Sequence, residues 1–99
     1  MRLPSVNPIG RQLPADITFE HRMTDYLEKF FRDLGVSYQR QPVADGRENI
    51  VARWDNPAGA RRTLVMEAHQ DTVPIDGMII PPFSGEVEGN RLYGRGSCD

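Results

Sequence analysis

Apolar residues recur in the first third of the chain with the period of an α-helix. Phe19, Met23, Tyr26, Leu27, Phe30, Phe31 and Leu34 fall at spacings of 4, 3, 1, 3, 1 and 3. That pattern is a wide apolar stripe on one long helix. Glu20, His21, Arg22, Asp25, Glu28, Lys29, Arg32 and Asp33 fill the intervening positions as a solvated face. The stripe is therefore expected to face a core. Asp16 or Thr18 is expected to cap the start, and Gly35 stands where a residue of positive φ closes a helix. The stretch before it, Leu3 to Ala15, contains Pro4, Pro8, Gly10 and Pro14 and has no period. It reads as an ordered loop or N-terminal arm.

Beyond Gly35 the pattern changes to short strands. Val36 to Arg40 alternates loosely, Asp45-Gly46 marks a turn, and Asn49 to Arg53 is a second short strand. After a turn at Asn56-Pro57-Ala58-Gly59, the run Arg62 to Ala68 has the apolar centre of a strand buried on both faces. A proline-rich loop covers Asp71 to Pro82. A hairpin-like pair follows, Gly85 to Glu88 and Arg91 to Tyr93, turning at Gly89-Asn90. Arm, helix and strands in this order predict an α/β chain, a single unit over 1–99 whose mixed sheet is incomplete.

Composition narrows the function classes. The 99 residues carry a formal net charge of −2, which lacks the basic footprint of a nucleic-acid binder. No apolar run is long enough to span a membrane, and no apolar stretch follows Met1-Arg2-Leu3 to act as a secretory signal. One cysteine builds no disulfide framework within the chain, in keeping with a reducing compartment. A cytoplasmic chain is the expectation. Lys29 is the only lysine among the basic residues, and the scattered arginines suit codon bias better than a binding patch.

Two constellations carry candidate chemistry. The first, His69-Gln70-Asp71-Thr72-Val73-Pro74, directly follows the apolar run. In an extended segment His69 and Asp71 project to the same side, at the carboxyl end of a strand where open sheets form ligand crevices. A histidine that binds metal through one ring nitrogen needs the other held, and a carboxylate holds it well. Taken alone the triplet is common, and a surface hydrogen bond also accounts for it. The second, Gly94-Arg95-Gly96-Ser97-Cys98-Asp99, permits unusual backbone angles. It reads either as a loop carrying Asp99 into a site or as a tight turn with a solvated aspartate. As a phosphate loop it lacks the strand–helix context. Cys98 lacks the second thiolate or histidine of a zinc site and any oxyanion feature for nucleophilic work with His69 and Asp71, so packing accounts for it.

Taken together, the two constellations and their order resemble the opening of the M20 metallopeptidase family, the group of acetylornithine deacetylase, succinyl-diaminopimelate desuccinylase and carboxypeptidase G2. Pro4-Ser5-Val6-Asn7-Pro8 is similar to the family's N-terminal segment, and Asn49-Ile50-Val51-Ala52 to the strand before the metal-ligand strand. The resemblance covers residues 4–99. It implies the N-terminal part of a zinc-peptidase-like catalytic domain, with the lid or dimerisation domain and the rest of the catalytic domain absent. By the same resemblance His69 is a ligand of one metal ion, Asp71 the catalytic-site carboxylate that orients it, and Asp99 the carboxylate bridging two metals. The implied cofactor is a pair of Zn2+ ions, with Co2+ as an alternative occupant. Bridging carboxylates and neutral imidazoles suit such a centre, which activates water for attack on an amide.

The implied substrate is an N-acyl amino acid or a peptide, with no nucleic acid and no membrane as partner, and a homodimer compatible with the full-length parent. The family's Glu-Glu pair has no match; Glu67, Glu86 and Glu88 do not fit it. Gln70 departs from the usual Met or Thr, and Met78-Ile79 from a frequent Trp, which leaves the subfamily open. The 99-residue chain alone is expected to be inactive and to bind zinc weakly. The rival reading is a non-catalytic truncated module serving, if folded, as a binding or interaction domain.

Overall fold

A computed structural model describes residues 2–98. Asp99, expected as a bridging ligand, lies outside the described residues. The elements are helix α1 (His21–Asp33), strands β1 (Ser37–Ala44) and β2 (Arg47–Arg53), and strands β3 (Glu86–Glu88) and β4 (Arg91–Tyr93). The helix is present but starts later than the apolar period suggests. Phe19 adopts a φ of +63° and turns the chain, so Glu20 occupies the N-cap position without a side-chain capping bond. The Thr18 hydroxyl instead donates to Pro14 O at 2.6 Å. Neither Asp16 nor Thr18 is the cap.

The C-terminus of α1 is as expected. Gly35, at φ +67°, donates its N–H to Arg32 O at 3.0 Å, and Val36 N–H reaches Phe31 O at 3.0 Å. These two bonds satisfy carbonyls that the helix leaves open, in the arrangement that favours glycine at this position. The chain thereby reverses directly into β1.

Strands β1 and β2 form an antiparallel hairpin around Asp45-Gly46, with a register shift between Pro42 and Ala44. Helix α1 packs against this hairpin, and the contact is strongly ionic. Arg40 of β1 pairs with Asp25 and Glu28 of the helix, and donates to Glu48 of β2 at 2.9 Å. Glu28 also accepts from the Tyr38 hydroxyl at 3.1 Å and from Arg32 at 3.0 Å. Burial pushes the Glu28 carboxyl upward, but the Tyr38 hydrogen bond and the Arg40 and Arg32 charges outweigh it and hold it below the ordinary glutamate range. A carboxyl held low when folded contributes stability above its unfolded pKa, and that contribution is lost as pH falls through the folded value. Acidification below the ordinary glutamate range is therefore expected to weaken the Glu28 contacts between helix and hairpin. The check is a pH titration of the Tyr38 ring resonances: a Tyr38 environment unchanged down to strong acid contradicts it.

The stripe does not form the expected core: none of its seven residues is buried, Phe19, Met23, Leu27 and Phe31 being half-buried, and the buried residue of α1 is Thr24. Tyr26, Phe30 and Leu34 are exposed, because the two-stranded hairpin is narrower than the helix's apolar arc. The strand expected at Arg62 to Ala68 is also not formed. Leu64, Val65 and Met66 are 83%, 82% and 87% exposed, and among the described residues no ladder includes them. A run that is apolar on both faces suits a sheet interior, which requires neighbours at both edges and a layer on each face. Among the described residues β1 pairs only with β2 and β3 only with β4. Two antiparallel pairs thus stand, among the described residues, in place of the expected mixed sheet, and parallel pairing is confined to single bridges from Val6 to Thr18 and Thr72.

Global dimensions agree. The chain exposes 8005 Å², where a compact monomer of this mass exposes about 5,700 Å². Its radius of gyration is 16.1 Å, against about 13 Å for a compact chain of this length. Val6 is the one fully enclosed apolar residue among those described.

Candidate metal centre

The candidate site is assembled around Val6. The arm threads between residues 17–19 and Thr72 through four backbone hydrogen bonds. Val6 N–H donates to Ile17 O (2.8 Å), Phe19 N–H to Val6 O (3.0 Å), Thr72 N–H to Ser5 O (2.9 Å) and Asn7 N–H to Thr72 O (2.8 Å). These bonds hold the irregular segment 69–72 against the arm and the start of α1, although no regular sheet contains it.

His69 and Asp71 come together. His69 Nδ1 lies 2.8 Å from Asp71 O and 3.1 Å from Asp71 Oδ1. Both are acceptors, so this nitrogen carries the proton in the neutral ring, and Nε2 is the one with a lone pair suited to a metal. The other Asp71 oxygen, Oδ2, accepts from Asn7 Nδ2 at 2.8 Å and lies 3.6 Å from the Arg47 guanidinium. Burial raises the Asp71 carboxyl, but the Asn7 and His69 hydrogen bonds and the Arg47 charge outweigh it and hold it below the usual aspartate range.

Arg47 is itself anchored. Its Nε lies 3.0 and 3.1 Å from the two carboxylate oxygens of Glu20, its terminal nitrogen also pairs with Glu20, and the guanidinium sits 5.7 Å from the Phe19 ring centroid. Glu20 is only 6% exposed. Gln70, between the two candidate residues, acts as a tie. Its amide donates to Glu48 O at 3.2 Å, and its oxygen lies 3.1 Å from the Thr24 hydroxyl of α1. The departure from Met or Thr at this position thus has a local use: it joins segment 69–71 to both the helix and the hairpin.

The second constellation also reaches this place. Arg95 N–H donates to Pro82 O at 2.7 Å, and Gly96 stands against Thr72, where an added Cβ would lie 3.1 Å from Thr72 Cγ2. Gly96 also has a φ of +81°, so glycine there serves both the backbone angle and the close approach. Cys98 is exposed, which corrects the expectation that it packs as a small apolar side chain; Ser97 and Cys98 lie on an open turn. An open cleft of about 480 Å³ borders His69, Asp71, Phe83, Arg95 and Gly96. Its volume falls in the range that holds small molecules.

Among the described residues no group of three His, Cys, Asp or Glu side chains converges to hold a metal ion. What they do provide is one imidazole with its Nδ1 engaged by a carboxylate, the state in which histidine ligates a metal. The donor chemistry fits a metal at Nε2, as one ligand of a larger set. Asn7, Glu20 and Arg47 were not legible as site residues. Asn7 lies 64 positions from Asp71 and carried a signal only as part of the Pro4–Pro8 segment, while Arg47 resembled any basic residue beside a turn.

Comparison with known proteins places this geometry in context. Acetylornithine deacetylase of Klebsiella pneumoniae (strain 342) is 37% identical over 78% of this chain and 20% of its own length. Succinyl-diaminopimelate desuccinylase of Roseobacter denitrificans (strain ATCC 33942 / OCh 114) is 40% identical over 98% of this chain and 27% of its own. Acetylornithine deacetylase of Vibrio atlanticus (strain LGP32) is 30% identical over all of this chain and 29% of its own. The chain belongs to the M20 family of hydrolases, in the group of these deacetylases and desuccinylases. It spans less than a third of the length of these curated relatives. No family model matches it, and no solved structure does.

Proposed function

We propose that this chain forms the N-terminal metal-binding portion of a zinc-peptidase-like catalytic domain, whose whole enzyme hydrolyses an N-acyl amino acid or a peptide. The observation that carries this reading is His69 Nδ1 held by Asp71 beside an open cleft, in a chain whose relatives are a deacetylase and a desuccinylase by name. His69 would hold one zinc ion through Nε2. Asp71 orients that imidazole and keeps a negative charge behind it. Asp99 is proposed as the carboxylate shared between two ions, with Co2+ able to replace Zn2+. When bound, the metal pair supplies an activated water and polarises the amide carbonyl. The cleft beside His69 offers apolar walls for a substrate chain, with Arg95 at its edge.

The proposed partners follow from this role: a small N-acyl amino acid or peptide, in the cytoplasm, with neither nucleic acid nor membrane involved and with homodimerisation a property of the whole enzyme. No helix among the described residues is long and apolar enough to cross a membrane. One imidazole and one carboxylate are fewer than the three or four protein ligands usual for zinc, so the 99-residue chain alone is proposed to be inactive. A second reading, a non-catalytic binding module, draws support from the large exposed apolar surface.

The test is a Zn2+ titration of the 99-residue chain followed on the His69 ring resonances, with hydrolysis of N-acetyl and N-succinyl amino acids assayed in parallel. The expected result is a weak, saturable change at His69 and no turnover. A His69 ring indifferent to Zn2+ overturns the metal reading, and turnover abolished by a chelator overturns the inactivity.

A further inference from the structure

We propose that Asn7 and Arg47 are positioning residues for the His69–Asp71 pair. They hold Asp71 Oδ2 from behind, so that Oδ1 stays turned toward His69 Nδ1. The inference rests on the proposed reading of His69 as a metal ligand only for its effect on affinity; its geometric content stands on the contacts themselves.

The Asn7 amide has a determined orientation. Its Oδ1 accepts the Ile9 N–H at 3.1 Å, which directs the Nδ2 donors toward Asp71 Oδ2 at 2.8 Å. Were the amide reversed, an oxygen would face a carboxylate and an NH2 group would face a backbone N–H, two repulsive contacts in place of two hydrogen bonds. The Asn7 backbone is fixed as well, since its N–H donates to Thr72 O and the preceding Val6 is fully enclosed. Asn7 is therefore a rigid donor, held by the residue that follows Asp71.

Arg47 adds charge from a second direction. Buried Glu20 and the Phe19 ring hold its guanidinium in place, and its terminal nitrogen stands 3.6 Å from Asp71 Oδ2. That distance is too long for a hydrogen bond but close enough for attraction to the carboxylate. Both groups act on the same oxygen. Rotation of the Asp71 carboxylate away from His69 thus sacrifices the Asn7 hydrogen bond and the arginine contact together. The His69 ring is left with two acceptors on Nδ1, one of them anionic, which raises the donor strength of Nε2.

Two readouts on the full 99-residue chain test this. The first is the His69 tautomer and ring shifts in metal-free protein, recorded by long-range 15N correlation at a pH where the imidazole is neutral. The second is Zn2+ affinity measured by competition with a chromophoric chelator. Asn7→Asp keeps an acceptor for Ile9 N–H but places a second carboxylate against Asp71; Asn7→Ala removes the donor alone. Arg47→Lys retains the charge, and Arg47→Met does not. The expected result is altered His69 ring shifts with growth of the Nε2–H tautomer, and zinc binding weakened about tenfold, in Asn7→Asp, Asn7→Ala and Arg47→Met. Arg47→Lys should recover part of both.

Circular dichroism at 222 nm identifies any variant that loses the helix, and for such a variant the remaining substitutions decide. Unchanged His69 shifts and unchanged affinity in a folded Asn7→Ala and Arg47→Met overturn the proposal. If His69→Ala leaves zinc binding intact, the metal reading fails, while the tautomer measurement still decides whether Asn7 and Arg47 position the pair.

Discussion

Substitution of Arg47 by methionine is expected to shift the urea midpoint of this chain further than any other single change at the helix–hairpin contact. Glu20 is 6% exposed at the N-cap of α1, and both its carboxylate oxygens are engaged by Arg47. Removing one partner of a buried ion pair leaves an uncompensated charge, at a cost of about 3–5 kcal/mol when both groups are fully enclosed. The Arg47 side chain is 35% exposed, which lowers the expectation to about 2–3 kcal/mol by the same reasoning. Ordinary domains have about 5–15 kcal/mol in hand; a chain with so little enclosed apolar surface has less, so the loss is a large share of the total. The check is urea denaturation followed at 222 nm for wild type, Arg47→Met, and Arg47→Met combined with Glu20→Gln. The combined variant should recover stability relative to Arg47→Met, because burying a neutral amide costs less than burying an unpaired carboxylate. Identical denaturation midpoints for wild type and Arg47→Met would remove the pair from any structural role.

The second large effect concerns association. Leu64, Val65 and Met66 form a continuous exposed apolar run in an irregular segment with no ladder partner among the described residues. Unpaired backbone with apolar side chains is a template for pairing between molecules. The 99-residue chain is expected to self-associate with increasing concentration, and Leu64→Lys with Met66→Lys to keep it monomeric. Since these side chains enclose nothing within the chain, the double substitution should change helix stability by less than about 0.5 kcal/mol. Light scattering and sedimentation across a concentration series provide the measurement. Loss of the helix in the double variant, with no change in association, would show that the run is packed in solution.

Much of the local structure was legible from residue patterns. The helical period, Gly35 as terminator and both hairpin turns appear where local chemistry puts them, because each depends on neighbours a few positions apart. The His69–Asp71 juxtaposition was also legible, since two residues in an extended segment share a side. The N-terminal cap was not legible: Phe19 adopts a positive φ, and Glu20 is occupied by a partner from the hairpin. The strand expected at 62–68 is absent for a different reason. A continuous apolar run reports suitability for a sheet interior, but a strand exists only where another strand offers hydrogen bonds.

By itself, then, the sequence determined the helix, its glycine stop, the two turns, and a motif pair sufficient to indicate the M20 family. Only the tertiary structure decided what stands behind Asp71. Asn7 arrives there because Val6 is enclosed between Thr18 and Thr72, and Arg47 because Glu20 holds it at the helix start. Neither position carries a local signature. A side-chain hydrogen bond is selected by distance and angle after the backbone has closed the loop between its partners, and no periodicity along the chain encodes that closure.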